Sequence, residues 1–517
     1  MVSNNLRLSG LATGMDTESM VQNMMKIARM PLDKKVRTKQ SLQWKQEDYR
    51  SMNLNLLALK NKAFDMKLST PYNLKKVTSA NADIVTASAA ADANNGTYNL
   101  KVSQLAEAAT NMTTAAISAD PAAKITSSSS LFSQAAKFAT PGTFFDGKVE
   151  TDTFTVTVRY AVDKTKDFTF KYSDSLDTVM KAINNDKEAG VTLFYDQGAT
   201  QDKVVATSMA TGSDAILEIS GDFFNTVLGV DNANKEAGQN AIFELNGLQT
   251  ERPTNSFTVN GVTFNLKGLT PGGLAGAATS VTVETNVDSI YDNIKSFVAK
   301  YNEVIDALNK EIKEEKFRTY SPLTEAEKDS MSEDEITKWE AKARSGNLRN
   351  DAILSGAASE IRLTMSSMVS GLGSIRALSD IGISTGTYWE DDMGKLKINE
   401  AELKAAIASD PEAVENLFNT NSTVAAEQGL ARRLYDTVDK AIKNVTSQAG
   451  SAAALYDQSY LSESIRRMDK DISALENRLE QVESRYWRQF TAMERAISSM
   501  NQQSSWLSAQ LGGTQSK

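Results

Sequence analysis

Three consecutive carboxylates, Glu390, Asp391 and Asp392, are by type the residues best suited to hold a cation. A calcium loop spreads its oxygen ligands over roughly twelve residues at alternate positions, and this run lacks that spacing. It therefore reads as charge on a turn. The sequence has no histidine and no cysteine in 517 residues. That removes imidazole bases, His-based triads, thiolate nucleophiles, disulfides and His or Cys zinc sites. No G-K-[ST] phosphate loop occurs either. With 65 acidic residues, the remaining carboxylate pairs are ordinary solvated surface. The expectation is a protein that is not an enzyme and holds no metal and no cofactor.

The same composition narrows the partners. The net charge is −9, and no basic stripe with interleaved aromatics appears, so nucleic-acid binding is not expected. No run reaches the roughly 18 consecutive apolar residues of a membrane span, and MVSNNLRLSG lacks the basic start and apolar core of a secretory signal. A single core stops growing at about 250 to 300 residues, so this chain is multidomain.

The elements with the clearest pattern lie at the two ends. From Ile465, apolar residues follow a heptad seam through Met468, Ile472, Leu475, Leu479, Val482, Tyr486, Met493, Ala496, Met500 and Leu507, broken by Gln489 and Gln503. Glu476 and Glu483 flank one side, and Arg478 and Arg485 the other. Beyond residue 489, Phe490 and Ile497 widen the stripe, which then needs cover. Leu42, Tyr49, Leu56 and Ala63 alternate with Lys45, Met52, Leu59 and Met66 at the same spacing, so the two ends are expected to pack together. Residues nearer the middle read as bundle helices; residues 1–40 and 480–517 read as packing on other subunits. Asp16 is a candidate N-cap ahead of Met20, Met24 and Ile27, and Pro31 is expected to break this arm into two helices.

Between the ends the period becomes two. Asn95-Gly96 ahead of Tyr98, Leu100 and Val102 predicts a hairpin, and Phe257 and Phe264 around Asn260-Gly261 predict a stronger one. Residues 111–142, rich in Ala, Ser and Thr, read as a surface loop or loosely packed insertion. Leu176, Val179, Met180 and Ile183 share one helical face before a strand at Val191. Asp288 caps a helix carrying Ile294, Phe297, Tyr301, Ile305, Leu308 and Ile312. Thr324 to Glu327 and Ser332 to Glu335 have capping-box spacing, with Trp339 as the anchor of that charged segment. A hairpin is expected to close near Met393-Gly394, and a helix runs over 427–447.

The opening Gly10-Leu11-Ala12-Thr13-Gly14-Met15-Asp16-Thr17, with Val21, Met25 and Pro31-Leu32, resembles the start of the FliD family of flagellar filament caps, a group of flagellar hook-associated proteins. Thr13 and Met15 depart mildly from the Ser and Leu usual there. GTYNLKVSQLA, the Ile183-Asn184 pair with Gly190-Val191-Thr192, FVAKYNEVI, the acidic run from Ser321 to Asp351 and LSDIGISTGTYWEDDMGKLKIN are similar to family segments as well.

The fold expected from pattern and resemblance together is α+β and multidomain. Both chain ends form a helical coiled-coil and bundle stem, with β-rich head domains inserted between them. Expected divisions are terminal legs over 1–42 and 475–517, a helical stem over 43–76 and 286–474, one β-rich domain over 77–145 and 243–285, and a second over 146–242. The resemblance implies a structural cap at the distal end of a bacterial flagellar filament. As a homo-oligomeric ring of five or six copies, it would promote folding and insertion of exported flagellin and prevent its loss. Implied partners are other copies, flagellin, hook-filament junction proteins and an export chaperone, and export is by the flagellar type III route without a cleaved signal. The alternative is an adhesin binding host glycans through the β-rich domains. Residues expected to make filament or subunit contacts are Leu11, Met20, Met24, Ile27, Leu479, Val482, Tyr486, Phe490, Met493, Ile497, Met500 and Leu507.

Overall fold

The computed structural model describes residues 16–385, 393–451 and 457–512. Leu11 and the Glu390 to Asp392 run lie outside those residues. The fold is α+β: the two chain ends, up to Tyr72 and from Val287 onward, make one helical unit, and residues 73–286 make a β-rich unit.

Asp16 caps the first helix, α1 (Thr17–Asp65), by accepting a bond from the Ser19 amide at 2.9 Å. α1 runs unbroken through Pro31, so the expected joint is absent. Proline costs one amide donor and crowds the carbonyl four residues back. Here Thr17 on one side, and Lys35 and Lys39 on the other, all bond to the last helix of the chain, and this packing carries α1 across the defect.

The β-rich unit opens with β1 (Lys75–Ser79), β2 (Val85–Ala89) and β3 (Gly96–Gln104). It continues with β4 (Ala108–Met112), β5 (Thr153–Ala161), β6 (Lys164–Lys171), α2 (Leu176–Asn185), β7 (Val191–Asp196), β8 (Lys203–Thr211) and β9 (Glu218–Ser220). Strands β10 (Ala241–Leu245), β11 (Leu248–Arg252), β12 (Ser256–Val259), β13 (Val262–Leu266) and β14 (Thr279–Thr285) close it.

An antiparallel sheet of order β1-β14-β3-β10-β11 and a second of order β12-β13-β2 share one core, built from Tyr98, Leu100, Val102, Phe243, Phe257, Phe264, Val281 and Val283. Phe257 pairs with Phe264 as expected, across a turn in which Asn260 (φ 50°) and Gly261 (φ 76°) take the left-handed geometry of a type I′ hairpin. Asn246 and Gly247 make the same kind of turn between β10 and β11, a hairpin the strand pattern did not single out. The Asn95-Gly96 hairpin does not form. β2 pairs with β13 and β3 with β10 and β14, so the chain crosses there from one sheet to the other. The Asn95 side chain instead ties Lys75 to Thr285, at 3.0 Å each.

A second core joins sheets β4-β8-β7 and β6-β5-β9 to α2. Residues 111–142 are not a loose insertion, because Ile117, Ile125, Leu131 and Phe138 are buried in this core with Phe144. A low apolar fraction concealed well-spaced anchors. Gln134, itself buried, replaces sheet bonds by accepting from the Thr126 amide at 2.6 Å and donating to the carbonyls of Thr126 and Ser129. Packing thus unites Ala109 to Phe144 with Phe154 to Val230, where the sequence division falls after residue 145. The chain passes between the two cores at Glu107 and Gln239, which form a bridge. A Cβ on Gly238 there would lie 2.3 Å from the Gly212 carbonyl oxygen, so only glycine permits this crossing.

The helical unit continues with α3 (Val287–Lys313), α4 (Glu325–Lys328), α5 (Glu333–Arg344) and α6 (Ala352–Ser366). After β15 (Ile383–Thr385) and β16 (Leu396–Ile398), an antiparallel pair, come α7 (Glu400–Ser409), α8 (Pro411–Asn419), α9 (Leu430–Ala449) and α10 (Tyr460–Gly512). Four of these helices form a bundle in which α1 and α6 each pack on both α3 and α9. Its interior holds Tyr49, Met52, Leu56, Leu59, Phe297, Tyr301, Leu308, Ile361, Leu434 and Val438. Asp288 lies in the first turn of α3, one residue inside its start. Both capping boxes form, and Trp339 donates its indole N–H to the Ser321 carbonyl at 2.9 Å while packing on Tyr320.

Candidate assembly surface

A heptad helix buries its stripe only if a second helix runs beside it. α10 finds that partner in α1, and the two lie antiparallel. Thr17 Oγ1 donates to Glu494 Oε1 at 3.3 Å, Lys35 and Lys39 reach Asp471 and Asp469 at 2.7 and 2.6 Å, and Arg50 reaches Asp457 at 2.8 Å. The ends of the chain therefore zip together, but the cover for α10 comes from Thr17 to Arg50; most of the stretch whose period matched, with Met52, Leu56, Leu59 and Ala63, is buried in the bundle beside α9 instead.

Up to Tyr486 the seam follows the heptad reading, and Ile465, Met468, Ile472, Leu475, Leu479, Val482 and Tyr486 are half-buried. Beyond that point the expected seam is overturned. The half-buried positions become Phe490, Glu494, Ile497 and Ser498, while Met493, Ala496, Met500 and Leu507 are exposed. This is an extra step of four residues, a stutter that locally unwinds the coil. It exchanges Gln489 for the larger apolar Phe490 on the covered side. The cost is that the methionine stripe turns outward.

The expected contact residues thus divide. Leu479, Val482, Tyr486, Phe490 and Ile497 are half-covered within the chain. Met20, Met24, Ile27, Met493, Met500 and Leu507 are open, with Ile27 71% and Met500 66% exposed. The terminal segments are therefore not wholly dependent on other subunits, since Val21 and Met25 are buried by the chain itself. Met30 and Trp506 belong with the open set and were missed. Their signal was present: Met30 follows Ile27 by three residues, and Trp506 adjoins Leu507.

The α4–α5 segment straps α1 from the side. Arg37 donates to Ser321 Oγ and Glu327 Oε1, each at 2.6 Å, and Arg344 donates to Asp48 Oδ1 at 2.6 Å. Burial pushes the Asp48 carboxyl above its usual range, against the pull of Arg344. Glu311 is raised by burial and then by the charges of Asp48 and Glu314. One shallow depression lies between α1 and this strap, lined by Met30, Asp33, Lys34, Arg37, Ser321 and Pro322. Among the described residues, no cluster of three acidic side chains could hold a metal ion, and no helix is long and apolar enough to cross a membrane.

Comparison with known proteins agrees with this layout. Residues 13–109 match the family model "Flagellar hook-associated protein 2 N-terminus", and residues 238–502 match "Flagellar hook-associated protein 2 C-terminus". Flagellar hook-associated protein 2 of Halalkalibacterium halodurans is 31% identical over 96% of this chain and 98% of its own length. The A-type flagellar hook-associated protein 2 of Pseudomonas aeruginosa is 25% identical over 97% of this chain and 96% of its own. The crystal structure of the Escherichia coli flagellar cap protein FliD D1-D2-D3 domains shares the fold, with a TM-score of 0.54 at 20% identity, over 81% of this chain and 99% of that one. With helices from both ends zipped together, a β-rich unit inserted between them in sequence, and relatives matching nearly the whole length, the chain belongs to the flagellar hook-associated protein 2 (FliD) family.

Proposed function

We propose that this chain is a non-enzymatic structural cap at the distal end of the bacterial flagellar filament. It acts as a homo-oligomeric ring of five or six copies that promotes folding and insertion of exported flagellin and prevents its escape. The carrying observation is the set of open apolar residues Met20, Met24, Ile27, Met30 and Met493 on the α1–α10 pair, continued by Met500, Trp506 and Leu507 on α10 beyond its Thr17–Glu494 contact. Each large apolar side chain buried there contributes roughly 1.5 to 3 kcal/mol, less the cost of ordering the pair. Thioether side chains adapt to changing neighbours, so such contacts hold while slipping as each flagellin is added. Leu11, Met20, Met24, Ile27, Leu479, Val482, Tyr486, Phe490, Met493, Ile497, Met500 and Leu507 are the proposed filament and subunit contacts. Hook-filament junction proteins and an export chaperone are its further partners, and the flagellar type III route its path outward.

Deletion of residues 1–40 and 480–517 tests this. The β-rich unit is expected to fold while filament capping is lost. Unimpaired capping by the deleted protein would sink the proposal.

A further inference from the structure

Methionine supplies all the sulfur in this chain, with 18 residues against no cysteine. A thioether takes one oxygen from a hydroperoxide and becomes a polar sulfoxide, provided the peroxide can reach the sulfur. The fold sorts the methionines by that access. Met25, Met52, Met66, Met180 and Met365 are buried in the packing of the two units. Among the described residues eight are exposed, and five of these, Met20, Met24, Met30, Met493 and Met500, lie on α1 and α10.

Both helices contribute to this group. Met20 follows Thr17 by one turn and Met493 adjoins Glu494, and the Thr17 and Glu494 side chains meet at 3.3 Å. The contrast in access is local. Met25 is 7% exposed, whereas its neighbour Met24 is exposed and Met30 is 64% exposed. A reagent in solution therefore reaches the outer thioethers of the pair without entering its packing.

We propose that Met20, Met24, Met30, Met493 and Met500 are a site of reversible oxidation by hydroperoxides, and that their sulfoxides bar this surface from its partner. The step balances with the peroxide alone. The sulfur donates an electron pair to one peroxide oxygen, the O–O bond breaks, and the proton on the transferred oxygen passes to the departing hydroxide, which leaves as water. Sulfur is oxidised by two electrons and the peroxide is reduced by two.

On the open surface the sulfoxide oxygen is hydrated, so the change leaves the fold intact. Under a partner's apolar side chains the same oxygen loses its water and gains no donor, so the cost falls on association. A seated partner also closes the path of peroxide to the sulfur, which protects the assembled surface. This rests on the cap reading for the partner, and adds a chemical state of the chain that decides whether assembly proceeds.

The full chain treated with hydrogen peroxide tests it, with site occupancy read by peptide mass spectrometry and binding by co-sedimentation with flagellin filaments. The five outer methionines are expected to oxidise well before Met25, Met52 and Met365, with helicity by circular dichroism unchanged and filament binding weakened about tenfold or more. Reduction by the two methionine sulfoxide reductases, which act on opposite epimers, is expected to restore binding. A variant with Met112→Leu, Met209→Leu and Met368→Leu removes the remaining exposed thioethers and is expected to respond in the same way. Binding that survives full oxidation of the five would overturn the proposal and leave the cap reading standing. So would a loss of binding that appears only together with lost helicity, or one that disappears in the leucine variant. A chain that binds no filament before oxidation overturns the cap reading, and with it the effect assigned to the sulfoxides.

Discussion

Asn184 holds Leu193 by both backbone groups, donating to its carbonyl at 2.9 Å and accepting from its amide at 2.7 Å. A side-chain amide has the donor and acceptor geometry of a peptide, so it stands in for a neighbouring strand where α2 meets β7. Asn302 does the same for Leu396, and Asn255 for Ala106. Asn184→Ala strands two partly buried groups at roughly 1 to 3 kcal/mol each, an upper figure because water can reach them. We expect a loss of about 2 kcal/mol, with the Leu193 amide losing protection in hydrogen exchange. Unchanged exchange at Leu193 would refute the strand-substitute role.

On the α1–α10 pair, packing and charge can be separated. The Lys35–Asp471 and Lys39–Asp469 pairs are solvent-exposed, and such pairs contribute about 0 to 1 kcal/mol. Met25 is buried between the helices, and truncating such a side chain costs about 2 to 5 kcal/mol. Met25→Ala is therefore expected to expose residues 479–497 to protease well before Lys35→Ala with Lys39→Ala does. Equal sensitivity in both variants would place the grip in the ion pairs.

The bundle carries carboxylates shifted in opposite directions. Glu311 is raised by burial and by Asp48 and Glu314, so its charged form disfavours the fold at neutral pH and the penalty fades as pH falls through the raised value. Lys443 and Lys60 hold Asp439 down to about 2, so its contribution is present above its unfolded value and lost as pH falls toward 2. Glu311→Gln should therefore stabilise the protein at pH 7 with a gain that shrinks on acidification. Asp439→Asn should destabilise it at pH 7 and be neutral near pH 2. Thermal unfolding across that range checks both signs, and a gain for Glu311→Gln that grows in acid would contradict the first.

How far the sequence reached depended on whether the deciding contact was local. The Asn260-Gly261 turn, the two capping boxes and the face of α2 are set by residues within a few positions of one another, and all were readable. Asn95-Gly96 has the same turn chemistry, but β13 and β14 compete for its strands from far along the chain, and that competition leaves no local mark. Ile117, Ile125, Leu131 and Phe138 failed to register because anchors in irregular backbone have no period. At the assembly surface, the heptad count carried the seam to Tyr486 and then lost it. The stutter at Phe490 is chosen by what α1 can cover, which the α10 sequence does not contain.

Pro31 connects that local chemistry to assembly. α1 passes through it although proline in a helix interior costs about 3 kcal/mol, and the exposed apolar residues Met20, Met24, Ile27 and Met30 all precede it within about three turns. The missing donor falls at the Ile27 carbonyl, so the helix is locally weakest beside the stripe it presents. Pro31→Ala restores that bond, and hydrogen exchange over residues 25–35 should slow by an amount equivalent to as much as about 3 kcal/mol. If the stripe must yield as subunits are added, the stiffened variant will zip more tightly to α10 yet cap filaments less well. Protection that does not change on substitution would show that packing against α10 already outweighs the lost bond, and capping that improves with stiffness would mean the stripe works as a rigid surface.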